Sequence, residues 1–471
     1  MNLAHLLTEK IYSNIGKVAD AHGFKAFLIG GFVRDLLLNR LGELKDIDIV
    51  VEGSGIEFAN FLAKDLNTSE VKQFKNFGTA MLKYQNLEIE IVGARKESYN
   101  RNSRKPIVED GTLADDQKRR DFTINALSIA LNQENFGELH DPFHGIEDLK
   151  NKIIRTPLEP ETTYSDDPLR MLRAIRFACQ LDFTIHPVSL QAIKEQKNRL
   201  EIISVERISD ELLKILASKK PSIGFRLLFE TELLHYILPE LTSLQGVEEK
   251  GNQAHKDNFY HTIQVVDQLA EKSDNIWLRF AALLHDVGKA PAKKYIEGTG
   301  WTFHNHEFIG SKMVPKIFKR LRLPLDAKMK YVQKIIRLSG RPATLTYDVS
   351  DSAVRRLLLE TGDDIDDLMT LCESDITSKN KNKVEQFLAG FKAVRQKLKD
   401  IEEQDHLRNF QPPITGDIII STFNIEPGRE IGIIKEQIKE AILEGKIANN
   451  YEEAYDLMLE KGEELGLTPH K

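Results

Sequence analysis

The sequence predicts an α+β protein in which a small mixed-sheet head is followed by an all-helical neck, body and C-terminal region. Three observations support this prediction. Short apolar runs bounded by glycine and polar residues are concentrated before residue 95. Beyond residue 120 the apolar residues recur every three or four positions, which is typical of helices. The 471 residues also exceed what one hydrophobic core normally holds, so several domains are expected.

The predicted head opens with a helix, a strand and a tight turn. Residues 1–22 carry apolar side chains at helical spacing and are expected to pack against the sheet. A strand over 26–29 then turns at Gly30 and Gly31 into a helical segment over 33–39. A paired glycine lets backbone N–H groups approach a phosphate closely. The turn is therefore a candidate phosphate site.

Charged side chains flank this turn. Arg34 lies in the first turn of the helical segment, where a guanidinium can hold a phosphate through two hydrogen bonds. A second strand is expected over 47–51, and Asp46 and Asp48 share one face of it because side chains alternate along a strand. Mg²⁺ is usually held by one or two carboxylates together with substrate phosphates. The unit predicts a site for a nucleoside triphosphate and Mg²⁺; a tight turn with two solvated aspartates is the alternative.

Three more strands complete the predicted sheet, which has helices on one side. They are expected over residues 71–74, 79–84 and 87–92, after a helix over 55–66. Glu88 and Glu90 share one face of the last strand, and either could complete a metal site with the neighbouring strand. Spacing does not choose between them, and two exposed glutamates on an edge strand are the alternative.

Two segments follow the predicted sheet. Residues 98–111 are rich in Asn, Ser, Arg and Lys and are expected to form a loop, either a flexible linker or one that contacts a substrate. Residues 115–131 are expected to begin with a charged turn, which contains Asp116, Arg119 and Arg120, and to continue as an apolar helix. The charges would then cluster at the entrance of that helix.

The most informative helix is expected over residues 165–181, with Pro168 in its first turn and an aspartate before it as a cap. Three arginines at a spacing of three residues form one ridge on it: Arg170, Arg173 and Arg176. An aspartate followed three residues later by an arginine can present an acceptor and a donor fork to the edge of a base. A solvated or ion-paired ridge is the alternative.

Histidines and aspartates recur in the helical region from His255 onward. They are His261, the pair His285 and Asp286, His306 and Asp375. Buried His–Asp pairs on helices are good ligands for a divalent metal, especially when a third helix adds another imidazole. The pattern therefore indicates a second metal site.

Several strings resemble motifs of the bacterial class II nucleotidyltransferases, which comprise the tRNA CCA-adding enzymes and the poly(A) polymerases. They are GGFVRD from Gly30, KDIDIV from Lys45, RRDFTINA from Arg119, DPFHGIEDL from Asp141 and SDDPLRMLR from Ser165. HDVGK from His285 resembles the HD domain of metal-dependent phosphohydrolases. The implied domains are a nucleotidyltransferase head over 1–150, a neck over 151–220, a body over 221–254, an HD domain over 255–380 and a helical tail over 381–471.

The resemblance implies the metal ligands. The family's third carboxylate stands five residues before an arginine that opens a mobile loop, and Glu90 with Arg95 matches this spacing. Asp46 and Asp48, with help from Glu90, would hold two Mg²⁺ ions for a two-metal nucleotidyl transfer. The HD resemblance implies a second divalent metal held by His261, His285, Asp286 and Asp375, against the alternative of a helical scaffold without activity.

The resemblance also implies how the nucleotide is held and selected. The triphosphate would be bound by Gly30, Gly31, Arg34, Arg119 and Arg120. Asp116 would lie near the sugar. Asp167 and Arg170 would read the Watson–Crick edge of CTP or ATP as a protein template, with Arg173 as a supporting contact.

The implied reaction is the template-independent addition of C, C and A to the 3′ end of tRNA from CTP and ATP. A partial enzyme that adds only CC or only A shares every motif. A poly(A) polymerase would share the head but is expected to carry a strongly basic RNA-binding tail, which is absent. An HD phosphohydrolase with a degenerate head and a non-catalytic RNA-binding scaffold are the remaining rivals.

The composition indicates the class of protein and the compartment in which it works. It is that of a soluble globular protein, 41% apolar and 29% charged, without an apolar run long enough to span a bilayer and without a secretion signal. Its two cysteines are expected to be buried thiols in a reducing cytoplasm. A net charge of −7 argues against unspecific coating of nucleic acid, although local basic patches such as residues 381–399 could follow RNA phosphates. The oligomeric state is left open.

Overall fold

A computed structural model describes residues 1–42, 45–74, 78–98, 107–246, 249–250, 253–254, 257–346, 350–378, 380–405 and 413–470. The chain forms two compact units, Met1–Pro239 and Glu240–Lys471. The finer division into head, neck, body, HD domain and tail stays a prediction, and His255 lies outside the described residues. No helix within the described ranges is long and apolar enough to cross a bilayer.

The first unit contains a mixed sheet, which confirms the predicted α+β class. In chain order its strands are β1 (Lys25–Ile29), β2 (Asp46–Glu52), β3 (Val71–Phe74), β4 (Thr79–Tyr84), β5 (Leu87–Gly93), β6 (Arg95–Ser98), β7 (Ile107–Asp110), β8 (Ser128–Ala130) and β9 (Leu139–His140). The main sheet has seven strands in the order β3-β4-β5-β2-β1-β8-β9, and β6 and β7 form a separate pair. β2 and β5 are parallel, whereas the other pairs of the main sheet are antiparallel.

The parallel pairing of β2 with β5 places the carboxylates of the head. Asp46 lies opposite Glu88, and Asp48 lies opposite Glu90. The residue between the two aspartates, Ile47, is fully buried because the alternate face of the strand packs into the core. One face of the sheet therefore carries four carboxylates in two facing pairs.

Helices pack against this sheet and then continue without it. In chain order they are α1 (Lys10–His22), α2 (Gly31–Leu37), α3 (Gly55–Asp65), α4 (Leu113–Lys118), α5 (Gly145–Asn151), α6 (Pro160–Asp166), α7 (Leu169–Leu181), α8 (Pro187–Gln196), α9 (Val205–Leu216), α10 (Pro221–Glu230) and α11 (Leu233–Ile237). The first helix begins at Lys10 and not near Met1, since the amide of Leu3 bonds to the carbonyl of Gly137 and Asn2 pairs with Glu138.

Two predictions for the segments after the sheet are wrong. Residues 107–110 form β7 where a loop was expected, and they pair antiparallel with β6; residues 99–106 lie outside the described ranges. Residues 122–131 contain a short 3-10 turn, Thr123–Asn125, and strand β8 in place of the expected helix. All residues from 121 to 130 are buried. Because the polar residues of this run are buried as well, it has no exposed positions whose spacing would distinguish a strand from a helix.

The helix expected from residue 165 begins four residues later. Helix α6 ends at Asp166, and α7 begins at Leu169. Between them Asp167 is extended, with φ −135° and ψ 98°. The ring of Pro168 disfavours helical backbone in the residue before it. The proline therefore separates two helices, and Asp167 lies at the junction.

The second unit is helical apart from short strand pairs. Its helices are α12 (Pro239–Thr242), which begins at the last residue of the first unit, α13 (Asn258–Ala270), α14 (Ile276–Leu284), α15 (Lys289–Ala292), α16 (His306–Arg320), α17 (Ala327–Leu338), α18 (Arg341–Leu345), α19 (Asp351–Thr361), α20 (Ile365–Ser374), α21 (Lys381–Asp405), α22 (Gly416–Phe423), α23 (Arg429–Leu443) and α24 (Tyr451–Glu464). Helices α13, α14 and α20 pack together, and α16 packs on α17. The last three helices share a small apolar core that includes Ile419, Ile438 and Met458.

Gly16 lies where α1 packs closely against the backbone that follows strand β8. A Cβ atom there would lie 1.9 Å from the carbonyl oxygen of Leu131. We expect Gly16→Ala to lower the free energy of unfolding by about 1–3 kcal/mol, because the helix must move away from the backbone. Urea unfolding measures the change. Gly432→Ala in α23 is the matched control, since a Cβ there meets nothing within 4 Å. A Gly16→Ala protein as stable as the control would contradict the packing.

Candidate active site and metal centre

The facing pair Asp48 and Glu90 forms the centre of the head site. Burial raises the pKa of Asp48, Arg120 lowers it, and the charge of Asp46 raises it further, with a net upward shift. Desolvation and the charge of Asp48 raise the pKa of Glu90. Glu88 instead bonds to Lys83 at 3.1 Å. The charges thus associate Glu90 with Asp48, whereas Glu88, which faces Asp46, is paired with Lys83.

Gly30 holds the turn beside these carboxylates. Its φ is +81°, and a Cβ atom there would lie 2.9 Å from an Nη1 of Arg120 and 3.8 Å from Oδ2 of Asp48. A side chain at this position would be strained by the backbone and would also displace the guanidinium. The turn therefore lets one arginine and one aspartate approach the backbone at the start of α2.

Asp116 holds the two arginines of the RRDFTINA segment. It is fully buried. Its Oδ1 accepts a 2.9 Å hydrogen bond from Nε of Arg119, and its Oδ2 lies 3.0 Å from Nη2 of Arg120. Both carboxylate oxygens are therefore engaged by arginines. This clamp was not foreseen from the sequence, which placed Asp116 near the sugar; that role stays a prediction.

A buried polar chain joins Arg34 to Arg173. Arg34 donates to Asp35 at 2.9 and 2.7 Å and to the amide oxygen of Asn125 at 2.8 Å. Asn125 donates to Asp121 at 3.0 Å, and Arg173 donates to the other oxygen of Asp121 at 2.8 Å. Burial alone would raise the pKa of Asp121, but Arg173 holds it below its usual value. Sequence reasoning missed Asp121 and Asn125, although a charged residue followed by a long apolar run was a visible signal.

Arg170 and Asp167 lie at the entrance of α7. Arg170 is nearly buried and donates to the carbonyl oxygen of Arg119 at 2.6 Å. Asp167 accepts from the amide of Leu169 and from Arg207, both at 3.2 Å. A cavity of about 320 Å³ is lined by Arg119 and Arg170. The structure thus brings Arg170 to the arginine pair held by Asp116, while Arg34 and Arg173 share the chain through Asp121.

A second, more compact cluster lies in the helical unit. Ligand atoms of His261, His285 and Asp286 all lie within 4.8 Å of one another, and no other group of three such residues among the described residues is as compact. Oδ1 of Asp375 is 2.8 Å from Nε2 of His261 and 3.3 Å from Nε2 of His285. His306 adds an Nε2 3.6 Å from Asp286. The four predicted ligands therefore meet, and a fifth residue joins them.

The outer hydrogen bonds of this cluster orient the imidazoles inward. The Nδ1 atoms of His261 and His285 lie 2.8 Å from the hydroxyl of Thr377 and 2.7 Å from the carbonyl oxygen of Ala282. A histidine that donates Nδ1–H to a carbonyl keeps the lone pair of Nε2 for a metal. The buried Nε2 of His285 has no hydrogen-bond partner. Two imidazoles and two carboxylates facing one another form a donor set suited to a divalent ion.

Three family models match successive parts of the chain. The family model described as the poly A polymerase head domain matches residues 26–155. The model described as a probable RNA and SrmB-binding site of polymerase A matches residues 182–245, and the HD domain model matches 258–379. The three matches follow one another along the chain.

Relatives and a solved structure extend the likeness. The multifunctional CCA protein of Shewanella frigidimarina is 35% identical over 308 residues, which are 64% of this chain and 70% of the relative. The A-adding tRNA nucleotidyltransferase of Aquifex aeolicus is 34% identical over 61% of this chain, which spans 35% of that longer relative. A tRNA nucleotidyltransferase complexed with a primer tRNA and an incoming ATP analogue aligns with a TM-score of 0.57 and 25% identity over 81% of this chain and 98% of that one. The chain belongs to the family of CCA-adding and A-adding tRNA nucleotidyltransferases that carry the poly A polymerase head domain.

Proposed function

We propose that this chain adds C, C and A in turn to the 3′ end of tRNA in the cytoplasm, using CTP and ATP. The observation that carries the proposal is the facing pair of Asp48 and Glu90 beside the glycine turn and the clamped arginines. Carboxylates next to fixed guanidinium groups suit the transfer of a nucleotide from a triphosphate. Family membership supplies the substrate class, because its members include CCA-adding and A-adding enzymes.

Nucleotidyltransferases and HD domains generally use divalent metals. We propose that the head holds two Mg²⁺ ions through Asp46, Asp48 and Glu90, since hard oxygen donors on one face fit this ion. When bound, Mg²⁺ would lower the pKa of the attacking 3′-hydroxyl and neutralise charge as pyrophosphate leaves. Burial raises the pKa of Asp48 and of Glu90, a neighbouring carboxylate raises each further, and a bound cation would offset both effects.

The arginines bind and orient the nucleotide in this proposal. Asp116 fixes both Arg119 and Arg120, and Arg120 lies next to Asp48, so their charges are in place before the triphosphate arrives. The N–H group of Gly31 would contribute to a backbone cradle, whereas that of Gly30 donates to the carbonyl oxygen of Leu127 at 3.3 Å. A preorganised cationic site needs little rearrangement as charge moves to the leaving pyrophosphate.

Nucleotide selection is assigned to the entrance of α7. Arg170 is the donor and lines the cavity of about 320 Å³. Asp167 is the acceptor at the junction before α7, and Arg173 supports the pair from the next turn. The extended backbone before Pro168 turns Asp167 out of the helical path. Arg170 is anchored on the carbonyl oxygen of Arg119, so recognition of the base is coupled to the phosphate-binding pair.

The HD cluster supports a second candidate function, metal-dependent phosphate hydrolysis. The specific observation is the buried and unpartnered Nε2 of His285, which faces Asp286 and Asp375. We propose that a divalent metal is bound by His261, His285, Asp286 and Asp375. His306 and Lys289 lie beside Asp286, with Lys289 at 2.7 Å.

Primer extension tests the main proposal. A tRNA that ends at its discriminator base is incubated with Mg²⁺ and CTP, ATP or both. We expect three nucleotides to be added, with a stop at CCA. Extension that stops at CC, that adds A only to a CC end or that runs on into poly(A) would replace the proposal by the corresponding rival. No extension would leave the HD cluster as the main candidate.

The third carboxylate can be tested by two substitutions on the same strand. We expect Glu90→Gln to slow nucleotide addition by about 100-fold or more, because Glu90 faces Asp48 at the metal site. Glu88→Gln is the matched control and should stay within about twofold of the parent, since Glu88 pairs with Lys83. Single-turnover rates with saturating CTP measure both. The reverse ranking would show that the other glutamate is the ligand.

The ionised carboxylate of Asp48 should lower the free energy of unfolding of the metal-free protein. Its raised pKa means that ionisation is less favourable in the folded than in the unfolded state, so stability falls as pH rises through these pKa values. We expect Asp48→Asn, which is inactive, to have a higher Tm than the parent at pH 7.5 in chelator, with a smaller difference in acid. Glu88→Gln serves again as control. A lower Tm for Asp48→Asn would contradict the charge crowding.

Arg170→Ala should change nucleotide choice as well as rate. Loss of the donor fork should let UTP and GTP be incorporated at a rate closer to that of CTP, by about tenfold or more in the ratio. Arg170→Lys keeps the charge but loses the fork, and should also relax selection. Competition assays with paired nucleotides measure the ratios. An equal loss for all four nucleotides would contradict a template role.

Metal binding by the HD cluster can be followed by thermal unfolding. Added Mn²⁺ or Ni²⁺ should raise the Tm of the chelator-treated protein, because the ion binds the folded cluster and not the unfolded chain. We expect His261→Ala and His285→Ala to lose this shift. The control is His304→Ala, which alters an exposed histidine outside the cluster. An undiminished shift in the two cluster variants would place the metal elsewhere.

A further inference from the structure

A basic cleft of about 620 Å³ lies between helices of the second unit. Five cations line it, and we call it the basic cleft: Lys312, Lys330, Lys334, Arg337 and Lys439. The last one is on α23, Lys312 is on α16 and the other three are on α17. These residues share no member with the HD cluster. The cleft therefore concentrates positive charge in a chain whose net charge is −7.

The spacing on α17 directs three of these cations to one side. Lys330, Lys334 and Arg337 stand at i, i+4 and i+7, which lie on one helix face. The single carboxylate in the lining is that of Glu360, which is paired with Arg341 at 3.0 Å. Like charges gathered in this way repel one another unless an anion lies between them. The cleft thus favours an anionic ligand.

Two of the cations take part in no ion pair in the described part of the chain. Lys334 is engaged by the carbonyl oxygen of Thr361 and by Asp364, and Lys439 pairs with Glu436. Lys330 and Arg337 are exposed and form no ion pair among the described residues. Their charges are therefore available to a ligand, and their replacement breaks no ion pair of the described residues.

An aromatic ring stands at the edge of the cleft. Phe308 is 54% exposed, and Nζ of Lys312 lies 5.4 Å from the centre of its ring. Phe308 and Arg337 also line a neighbouring cavity of about 430 Å³ that includes Arg341. Cations beside an exposed aromatic ring are the combination with which proteins bind phosphates and stack a base. The ligand chemistry indicated is that of a nucleic-acid strand.

We propose that the basic cleft binds backbone phosphates of the tRNA. The proposal rests on the proposed function for the identity of the RNA. From Lys330 to Arg337 the helix rises about 10 Å, which is the reach of about three nucleotide steps along a duplex strand. Electrostatic contacts of this kind raise affinity without reading sequence.

The test is a pair of double substitutions that change the net charge equally. Lys330→Glu with Arg337→Glu alters the cleft. Lys10→Glu with Lys17→Glu is the matched control, since these residues are also exposed, seven apart on one helix and outside both the cleft and the basic segment 381–399. Fluorescence anisotropy with labelled tRNA, without nucleotides, gives the affinity over a range of salt concentrations.

We expect the cleft variant to bind tRNA about tenfold or more weakly, and the slope of log K against log salt to fall by about two. The control should keep the parent affinity and slope, and circular dichroism should show both proteins folded. A slope unchanged in the cleft variant, or an equal loss in the control, overturns the proposal.

Two further readouts separate the possible failures. Calorimetry with pyrophosphate tests whether the cleft serves a free phosphate compound: loss of pyrophosphate binding with intact tRNA binding overturns the proposal. Primer extension on the parent tests the proposed function independently. If no nucleotide is added but tRNA binding still depends on the cleft, the proposed function fails and the cleft assignment stands.

Discussion

The parallel alignment of β2 with β5 is the constraint on which the head site depends. It sets Asp48 opposite Glu90 and Asp46 opposite Glu88, so that two strands present carboxylates on one face. The cost of this arrangement is mutual repulsion and desolvation, seen as raised pKa values at Asp48 and Glu90. Arg120 offsets part of that cost. The site is thus assembled in a state that attracts cations.

The arginines of the first unit are held in place by buried acids and one aromatic ring. Asp116 binds two of them, and the guanidinium of Arg176 bonds to Glu211 at 2.6 Å. The ring of Phe177 has Arg34, Arg173 and Arg176 around it at 4.9, 5.3 and 4.0 Å. Fixed guanidinium groups lose little entropy when they bind a phosphate or a base. Much of the polar core is therefore organised to position positive charge.

The sequence predicts the class of fold and the location of the site. It does not predict the features that depend on which strands pair and on which distant side chains meet. The aspartates and the glycine turn are local features, and periodicity two places Asp46 and Asp48 together. The choice of Glu90 over Glu88 rests on the ion pair of Glu88 with Lys83 across the neighbouring strand, which spacing along one strand does not reveal. The apolar spacing predicts a helix where strand β8 lies, because the residues around this strand are all buried and no exposed side chains mark its period. Asp121 contacts Arg173 and His306 contacts Asp286, partners that are distant in sequence, and no local pattern predicts such contacts.

The strand order of the main sheet also has a consequence for synthesis of the protein. β1 lies between β2 and β8 and pairs Leu28 with Ile129. The centre of the sheet therefore depends on contacts of high sequence separation, which form slowly because the intervening loop must close first. On the ribosome, the central strands have an unpaired edge until the β8 segment has emerged. During this interval the nascent head can aggregate through the unpaired edge. Mutations that weaken β8 should therefore reduce the yield of folded protein before they affect catalysis.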